Sequence, residues 1–321
     1  MAKVDTLVAG ELPASTETTL QALFAAHRAE DAAAVARLPA ATLGAVRAIA
    51  RGMHIDFDRS LLERMPRLEI VGNFGVGYDG IDLDYLAGRG VVVTNTPDVL
   101  TEEVADTALA LALMTVRELS AAERYLRAGR WPREGPYPLT ATLRDRTAGI
   151  AGLGRIGRAI ARRLDAFLVP VVYYGRHRQA DAPYPYYDDL AAMARDCDLL
   201  ILALPGGPAT AGLVDAAVLK ALGPNGILVN IGRGSIVDEP ALIAALRDRT
   251  ILAAGLDVFA HEPEVPAELI ALDNAVLLPH VASASVFTRD AMGQLVVDNL
   301  KSWFDAGKPL TPVPETPWPR G

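Results

Sequence analysis

Short apolar runs alternate with helix-period patterns along the whole chain. Residues 3–9 read as a strand, 16–26 as a helix and 46–50 as a strand. A helix begins at 60–64, "LEIVGNF" at 68–74 is a strand, "DLDYLAGR" at 82–89 a short helix and "VVVT" at 91–94 a strand. Such alternation predicts a parallel sheet with helices on its faces. A long helix follows in "NTPDVLTEEVADTALALALMTVREL", with Thr101 placed as its N-cap and Glu102 and Glu103 in its first turn. Its alanines and leucines are too dense for one solvated face, which predicts burial on several sides, at a domain or subunit contact. Residues 128–140, rich in Gly and Pro, read as a loop.

A second alternation starts at 146. Strands are predicted at 147–151, 169–174, 198–203, 226–231, 252–258 and 275–279, and helices at 154–167, 188–195, 215–222 and 238–248. This is the pattern of a doubly wound sheet. A last helix over 288–306 carries Met292, Leu295, Val296, Leu300 and Trp303 as apolar positions. The tail that follows holds Pro309, Pro312, Pro314, Pro317 and Pro319 and is predicted to be extended.

Composition narrows the class. A chain of 321 residues is long enough for two domains, and a hydrophobic content of 51% excludes a disordered or fibrous protein. A net charge of −8, without a Lys/Arg-rich block, argues against a nucleic-acid partner. No apolar run reaches membrane-span length. Lys3 and Asp5 stand where a secretory leader would be apolar. Cys197 is the single cysteine, so neither an intrachain disulfide nor a cysteine metal cluster is expected. The expectation is a soluble, cytoplasmic α/β protein with no membrane partner and no metal.

G-x-G-x-x-G occurs twice, at Gly75–Gly80 and at Gly152–Gly157. Context separates the two. The second follows the apolar "TAGIA" and opens an amphipathic helix, with Arg155 and Arg158 near the N-terminus where they would help an anion. The first has Asp79 and Asp82 after its glycines. Carboxylates there would repel a pyrophosphate by several kcal/mol at ~4 Å and an effective dielectric of ~20. The second is therefore the dinucleotide candidate. The first, with unobstructed backbone N–H groups around Val76 and Gly77, suits a small carboxylate, or is an ordinary glycine turn.

Three polar segments follow strands of the second alternation. Arg233 lies in "VNIGRGSIVDEPAL", Asp257 and Glu262 in "GLDVFAHEPE", and His280 in "LLPHVASAS". Ligands of open parallel sheets bind beyond the carboxyl ends of the strands, so these segments are expected on the side of Gly152–Gly157. Singly, Arg233 reads as a surface cation, Glu262 as a solvated acid and His280 as a core histidine. Together they form a working set for keto-acid reduction. Arginine offers a planar charged fork to a carboxylate. Histidine can give a proton to a carbonyl oxygen as hydride arrives, and a glutamate beside it keeps that proton available.

The segments "NFGVGYDGIDL", "NTPDVLTEEVADTALALAL", "GLGRIGRAIARRL", "NIGRGSIVDEPAL", "GLDVFAHEPEVP" and "LLPHVASAS" resemble the D-isomer-specific 2-hydroxyacid dehydrogenases, in order, from about residue 45 to 313. Within that family they look most like the glyoxylate/hydroxypyruvate and hydroxyphenylpyruvate reductase branch. The resemblance implies two doubly wound parallel-sheet domains. One is a flavodoxin-like substrate-binding domain over residues 1–98 and 288–321, the other a Rossmann dinucleotide-binding domain over 99–287. It implies that Arg233, Glu262 and His280 are catalytic, and that Val76 and Gly77 bind the substrate carboxylate together with Arg233 and His280. It implies cofactor contacts from Thr101, Gly152, Gly154, Arg155, Ile156, Gly157, Gly175, Arg176, Arg178, Leu204, Pro205, Thr210, Ile231, Gly232, Arg233, Asp257, His280 and Ala282, with Asp257 on the nicotinamide carboxamide. A homodimer built on the nucleotide-binding domains is implied too, and Trp131 matches a tryptophan that some members lend to the partner's site. One departure stands out: Ala282 occupies a position where the family usually has glycine, which puts the shape of the pocket beside the nicotinamide in question.

In "VVYYGRHRQ", residues 171–179, the acid that would bind an adenosine ribose is missing. Arg176 stands there instead, with Gly175 leaving room and Arg178 and His177 adding charge. A charged fork suits a 2′-phosphate, so NADP(H) is expected in preference to NAD(H); the bland alternative is an arginine stacked on adenine while NAD binds. Two other functions remain open, an arylpyruvate reductase and a non-catalytic dinucleotide-sensing protein on the same scaffold. Met53, His54, Tyr78 and Trp131 are candidates to line the substrate pocket.

Overall fold

The computed structural model describes residues 3–53, 55–316 and 318. The chain divides into two compact units, Met1–Leu100 with Ser285–Gly321, and Thr101–Ala284.

The first unit contains β1 (Asp5–Ala9), α1 (Ala14–Leu23), β2 (Ala25–Ala29), α2 (Ala32–Arg37), α3 (Ala40–Ala45), β3 (Ala48–Arg51), α4 (Arg59–Glu63), β4 (Ile70–Asn73), α5 (Leu83–Gly88) and β5 (Val92–Thr94). All pairings are parallel in the order β2-β1-β3-β4-β5, the flavodoxin-like winding. β2 is the strand the apolar pattern missed. Its sequence, AAHRA, has no β-branched residue, and its edge position leaves most of it half-buried, so periodicity placed Ala25 and Ala26 in the preceding helix. That helix ends at Leu23.

The second unit begins with α6 (Thr101–Val116), α7 (Leu119–Arg127) and α8 (Trp131–Glu134). β6 (Ala148–Ala151), α9 (Arg155–Ala166), β7 (Val171–Tyr174), β8 (Tyr186–Tyr187), α10 (Leu190–Asp196) and β9 (Leu199–Leu202) come next. α11 (Ala216–Leu222), β10 (Ile227–Asn230), α12 (Glu239–Arg247), β11 (Ala253–Leu256), α13 (Ala267–Ile270) and β12 (Ala275–Leu277) complete it. Its seven parallel strands run β12-β11-β10-β9-β6-β7-β8, which is the Rossmann winding with one strand added beyond β11. Both faces are covered, so the strands are apolar throughout rather than alternating. Leu199, Leu200, Ile201 and Leu202 are each fully buried, worth about 1.5–3 kcal/mol apiece before entropy is counted.

α6 lies directly on β11. A Cβ at Gly255 would come within 2.5 Å of Thr115 Oγ1 and 2.7 Å of Leu111 Cγ. This contact explains the helix's dense alanines and leucines. Thr101 does not cap it: the residue is already the first of the helix, and its buried hydroxyl has no hydrogen-bond partner among the described residues. The loop predicted over 128–140 holds the single turn α8, where Pro132 sits in the first turn and needs no backbone donor.

α14 (Val286–Ala306) returns to the first unit and packs on β3 and β4, where a Cβ at Gly72 would meet Val296 at 3.1 Å. Ser285 caps it through the Thr288 amide. The tail then runs antiparallel beside β5, bridging Pro312 to Thr94, before a turn at Pro314 and Glu315. Pro317 and Pro319 lie outside the described residues.

Cys197 is buried against Gly149, and burial pushes its thiol up to about 12. The thiolate is the reactive form, so the native protein at pH 8 should resist a maleimide that labels it at once in denaturant. Labelling at equal rates in both states would contradict this burial.

Candidate active site

β6 leads straight into Gly152–Gly157. Gly152 has φ +98°, and a Cβ there would lie 2.8 Å from the Ala203 carbonyl oxygen. A Cβ at Gly157 would fall 2.1 Å from the Gly152 carbonyl oxygen. These two glycines bring strand, turn and helix into van der Waals contact. Gly154 is different: it is the N-cap of α9, has open space at its Cβ, and offers no side chain to the first amides of the helix. An uncapped helix start behind open space suits a phosphate. Arg155 is exposed beside it and Ile156 half-buried. Gly75–Gly80 opens no helix directly, since α5 starts at Leu83 under an Asp82 cap that also pairs with Arg59.

Arg158 does not face an anion site. Its guanidinium is committed to Gln179 and, at 2.7 Å, to Asp181. Gln179 also donates to the Leu153 carbonyl at 2.9 Å, and its amide donates to the Tyr173 hydroxyl at 2.8 Å. The segment after β7 is thereby pinned to the glycine turn. Sequence reasoning passed over Gln179, whose only signal is its place within reach of a helix arginine. The pinned segment presents Arg176, His177 and Arg178 exposed, with neither arginine paired to an acid among the described residues. A Cβ at Gly175 would meet only the His177 oxygen, at 3.8 Å.

The other expected cofactor residues gather at the carboxyl ends of β9, β10 and β11 in the same unit. Leu204 and Pro205 follow β9, and Thr210 is turned inward, its hydroxyl donating to Pro205 O at 2.8 Å. Ile231 is buried after β10, and a Cβ at Gly232 would lie 2.8 Å from the Leu204 oxygen.

Arg233, Glu262 and His280 come together in this unit. Asn230, buried at the end of β10, accepts from Gly232 N at 3.0 Å and donates to Arg233 O at 2.9 Å, which sets the turn carrying Arg233. At Gly234 a Cβ would stand 1.8 Å from the Phe259 carbonyl carbon, so this turn lies directly on the one bearing Glu262. Glu262 accepts from Phe259 N at 2.9 Å through Oε1 and meets His280 Nδ1 at 2.6 Å through Oε2. Glu239, missed in the sequence as one more helix-start acid, holds the Ala260 amide at 3.2 Å.

His280 has φ +52°, a left-handed conformation that costs of order 1 kcal/mol in a non-glycine residue. Asp257 holds it there. The Asp257 carbonyl accepts from His280 N at 2.9 Å, and its fully buried carboxylate accepts from Val281 N at 2.8 Å and Ala282 N at 2.9 Å. Burial raises the Asp257 carboxyl above its ordinary value against the pull of these two amides. Ala282 is buried without a positive φ, so its methyl group brings no backbone strain. Burial alone would raise Glu262. The hydrogen bonds from His280 and Phe259, and the charges of His280 and Arg233, outweigh it and hold this carboxyl below 4.5.

In the first unit Val76 and Gly77 follow β4 in a half-buried loop, and their amides donate to no acceptor among the described residues. Met53 is half-buried, its sulfur 2.7 Å from Arg289 Nη1. Tyr78 packs against the unit's own core, its hydroxyl 3.2 Å from Glu315 Oε2. Trp131, in the second unit, is 59% exposed. His54 lies outside the described residues. No helix among the described residues is long and apolar enough to cross a membrane, and no metal-ligating cluster is found among them.

These features define a dinucleotide-dependent oxidoreductase. Residues 109–282 match the model of the D-isomer specific 2-hydroxyacid dehydrogenase, NAD binding domain. The chain is 47% identical over 268 residues to glyoxylate/hydroxypyruvate reductase A of Arabidopsis thaliana, covering 84% of this chain and 85% of that one. It is 46% identical over 269 residues to hydroxyphenylpyruvate reductase of Plectranthus scutellarioides, covering 84% and 85%. Among solved structures it is similar to the NADPH-dependent glyoxylate/hydroxypyruvate reductase of Sinorhizobium meliloti in complex with NADP and malonate, with TM-score 0.93, 52% identity and 98% of each chain covered. The chain belongs to the D-isomer specific 2-hydroxyacid dehydrogenase family, whose members are NAD(P)-dependent oxidoreductases.

Because the Glu262 carboxyl is held below 4.5, its stabilising pair with His280 persists above that pH and is lost as pH falls through the lowered value. Glu262→Gln removes the carboxylate that holds the His280 ring at Nδ1 and should lower kcat/KM for glyoxylate about tenfold or more while leaving NADPH affinity within about twofold. An unchanged kcat/KM would break the link between this pair and turnover.

Proposed function

We propose that this protein reduces small 2-keto acids, glyoxylate and hydroxypyruvate, to glycolate and the D-2-hydroxy acid, with NADPH preferred over NADH. The carrying observation is the 2.6 Å His280–Glu262 contact beside Arg233, in the unit that bears the glycine turn. Reduced nicotinamide supplies the hydride. Arg233 binds the keto-acid carboxylate and polarises the carbonyl. In the first unit the amides of Val76 and Gly77 are the groups offered to a substrate carboxylate. His280 gives its Nε2 proton to the oxygen as the carbon is reduced, while Glu262 on Nδ1 fixes the ring and stabilises its charged form. Asp257 positions the His280 turn; its carboxylate is fully buried on the Val281 and Ala282 amides, so the contact with the nicotinamide carboxamide that the resemblance implies would require this turn to open.

The residues present fit a dinucleotide. Among the described residues, Thr101 keeps a buried hydroxyl without a partner, and the start of α9 is uncapped behind Gly154. Gly152, Gly154, Arg155, Ile156 and Gly157 would hold the pyrophosphate. Leu204, Pro205, Thr210, Ile231, Gly232 and Ala282 would border the rest of the cofactor. Arg176 and Arg178, uncommitted to acids among the described residues, would take a 2′-phosphate, with Gly175 leaving the space. The Sinorhizobium meliloti relative, solved with NADP, supports this preference. A homodimer through the second unit is supported by the exposed Leu119, Leu126, Trp131 and Leu139 around α7 and α8. The hydroxyphenylpyruvate reductase relative favours a second reading, in which larger arylpyruvates are also accepted.

Steady-state kinetics with glyoxylate, hydroxypyruvate, phenylpyruvate and hydroxyphenylpyruvate test the function. His280→Ala should lower kcat by about 10²–10⁴-fold, and near-normal turnover would overturn the assignment. Arg176→Ala should raise KM for NADPH about tenfold or more and leave that for NADH nearly unchanged. Equal changes for both cofactors would return Arg176 to a stacking role.

A further inference from the structure

The loop after β4 has all three of its central carbonyls taken by side chains or backbone of its own unit. Asn73, at the end of β4 and 1% exposed, donates through Nδ2 to Gly75 O at 3.1 Å and Gly77 O at 3.0 Å. Asn95, just after β5, donates to Val76 O at 3.0 Å. Thr96 donates its amide to Gly75 O at 3.0 Å and accepts from Gly75 N at 3.1 Å. A trans peptide points its N–H opposite to its C=O. The Gly75 and Val76 carbonyls are therefore drawn toward the strand ends, and the N–H groups of Val76 and Gly77, in those same peptides, face the other way. Adjacent outward amides make an anion-binding concavity.

Asn73 can do this only in one orientation of its amide. Arg51, at the end of β3, donates to Asn73 Oδ1 at 2.7 Å and to Asp56 Oδ1 at 2.8 Å. A guanidinium has donors and no acceptor, so Oδ1 must face it, which leaves Nδ2 for the loop carbonyls. The carbonyls impose the same choice from the other side. Arg51 is itself mostly buried, its side chain 12% exposed, so neighbouring strand ends fix the arrangement from behind.

We propose that Asn73, oriented by Arg51, is a positioning residue for substrate carboxylate: it turns the Gly75–Val76 peptide so that the Val76 amide presents beside the Gly77 amide, whose own peptide Asn95 holds, and it ties down the far side of the loop at Gly77 O. The inference rests on those two amides being the carboxylate site of the proposed reaction. Asn73 does not touch substrate. It sets how well a keto acid is held and leaves dinucleotide affinity alone.

The test uses Asn73→Asp, which keeps the shape and the acceptor toward Arg51 but sets an oxygen against two carbonyl oxygens. The readouts are glyoxylate kinetics, NADPH affinity, and the affinity of the NADPH complex for oxamate, a carboxylate that cannot accept hydride. Loss of one hydrogen-bonded anion contact should raise KM for glyoxylate and Kd for oxamate about tenfold or more, with kcat reduced less and NADPH Kd within about twofold. Arg51→Met, which leaves Asn73 in place but frees its amide to flip, should weaken oxamate in the same direction and to a smaller degree. It serves as the measurement if Asn73→Asp does not fold. Unchanged oxamate affinity in a folded variant, beside a wild type that binds oxamate, overturns the role of Asn73 alone. Parallel loss of oxamate and NADPH binding overturns it too, as general loss of structure. A wild type that neither binds oxamate nor reduces glyoxylate overturns the proposed reaction and the positioning role together.

Discussion

The buried carboxylate of Asp257 is the constraint on which the acid–base site depends. It has no exposure to solvent and spends its two oxygens on the amides of Val281 and Ala282, while its carbonyl takes the His280 amide. Three bonds from one residue hold the chain in the turn that puts His280 at a positive φ. Without them a histidine would relax from the left-handed region, and its ring would leave Glu262. Burying a carboxylate is costly and pushes its pKa up, and the two amides offset part of that cost. The bonds thus convert an electrostatic penalty in the interior into a fixed ring direction at the surface.

Glutamate and arginine reach the same place through contacts that exclude side chains. Gly234 lies so close to Phe259 that a Cβ would overlap the backbone, and Gly232 does nearly the same at Leu204. These approaches stack the turns after β9, β10 and β11 on one another at the carboxyl ends of a parallel sheet. Asn230 then satisfies the turn's backbone from within, as Asn73 does after β4 in the other unit. In both sheets a buried amide at the end of a strand shapes the loop that carries the proposed chemistry. An asparagine suits this because it can donate and accept at once and is too short to leave the turn.

Charge is partitioned between α9 and the segment that follows β7. Arg158 is bound to Gln179 and Asp181, and Arg163 to Glu102 and Asp106. These arginines hold segments in place. Arg176 and Arg178 have no such acid partners among the described residues, and the anchoring of the neighbouring Gln179 keeps them next to the glycine turn. An arginine spent on structure and an arginine available to a ligand look alike in a list of residues. Their partners separate them.

The amino-acid sequence by itself determined the βα rhythm, a parallel sheet in the first part, a doubly wound sheet in the second and the order of the polar residues, because hydrophobic period and glycine spacing are local properties; the doubly wound order of the first sheet was implied by the family resemblance. It showed which of the two glycine fingerprints opens a helix, and that no acid follows the second strand. It misled at β2, whose alanines carry no strand signal, at Thr101, and at Arg158, whose acid partner sits 23 residues away. Gln179, Asn73, Asn230 and Glu239 were invisible as site residues, since each acts through hydrogen bonds to backbone that only folding brings near. What the tertiary structure alone decided is direction: which amides point outward, which ring nitrogen meets a carboxylate, and which arginine remains uncommitted. Those follow from contacts between strand ends far apart in the chain, and no local pattern encodes them.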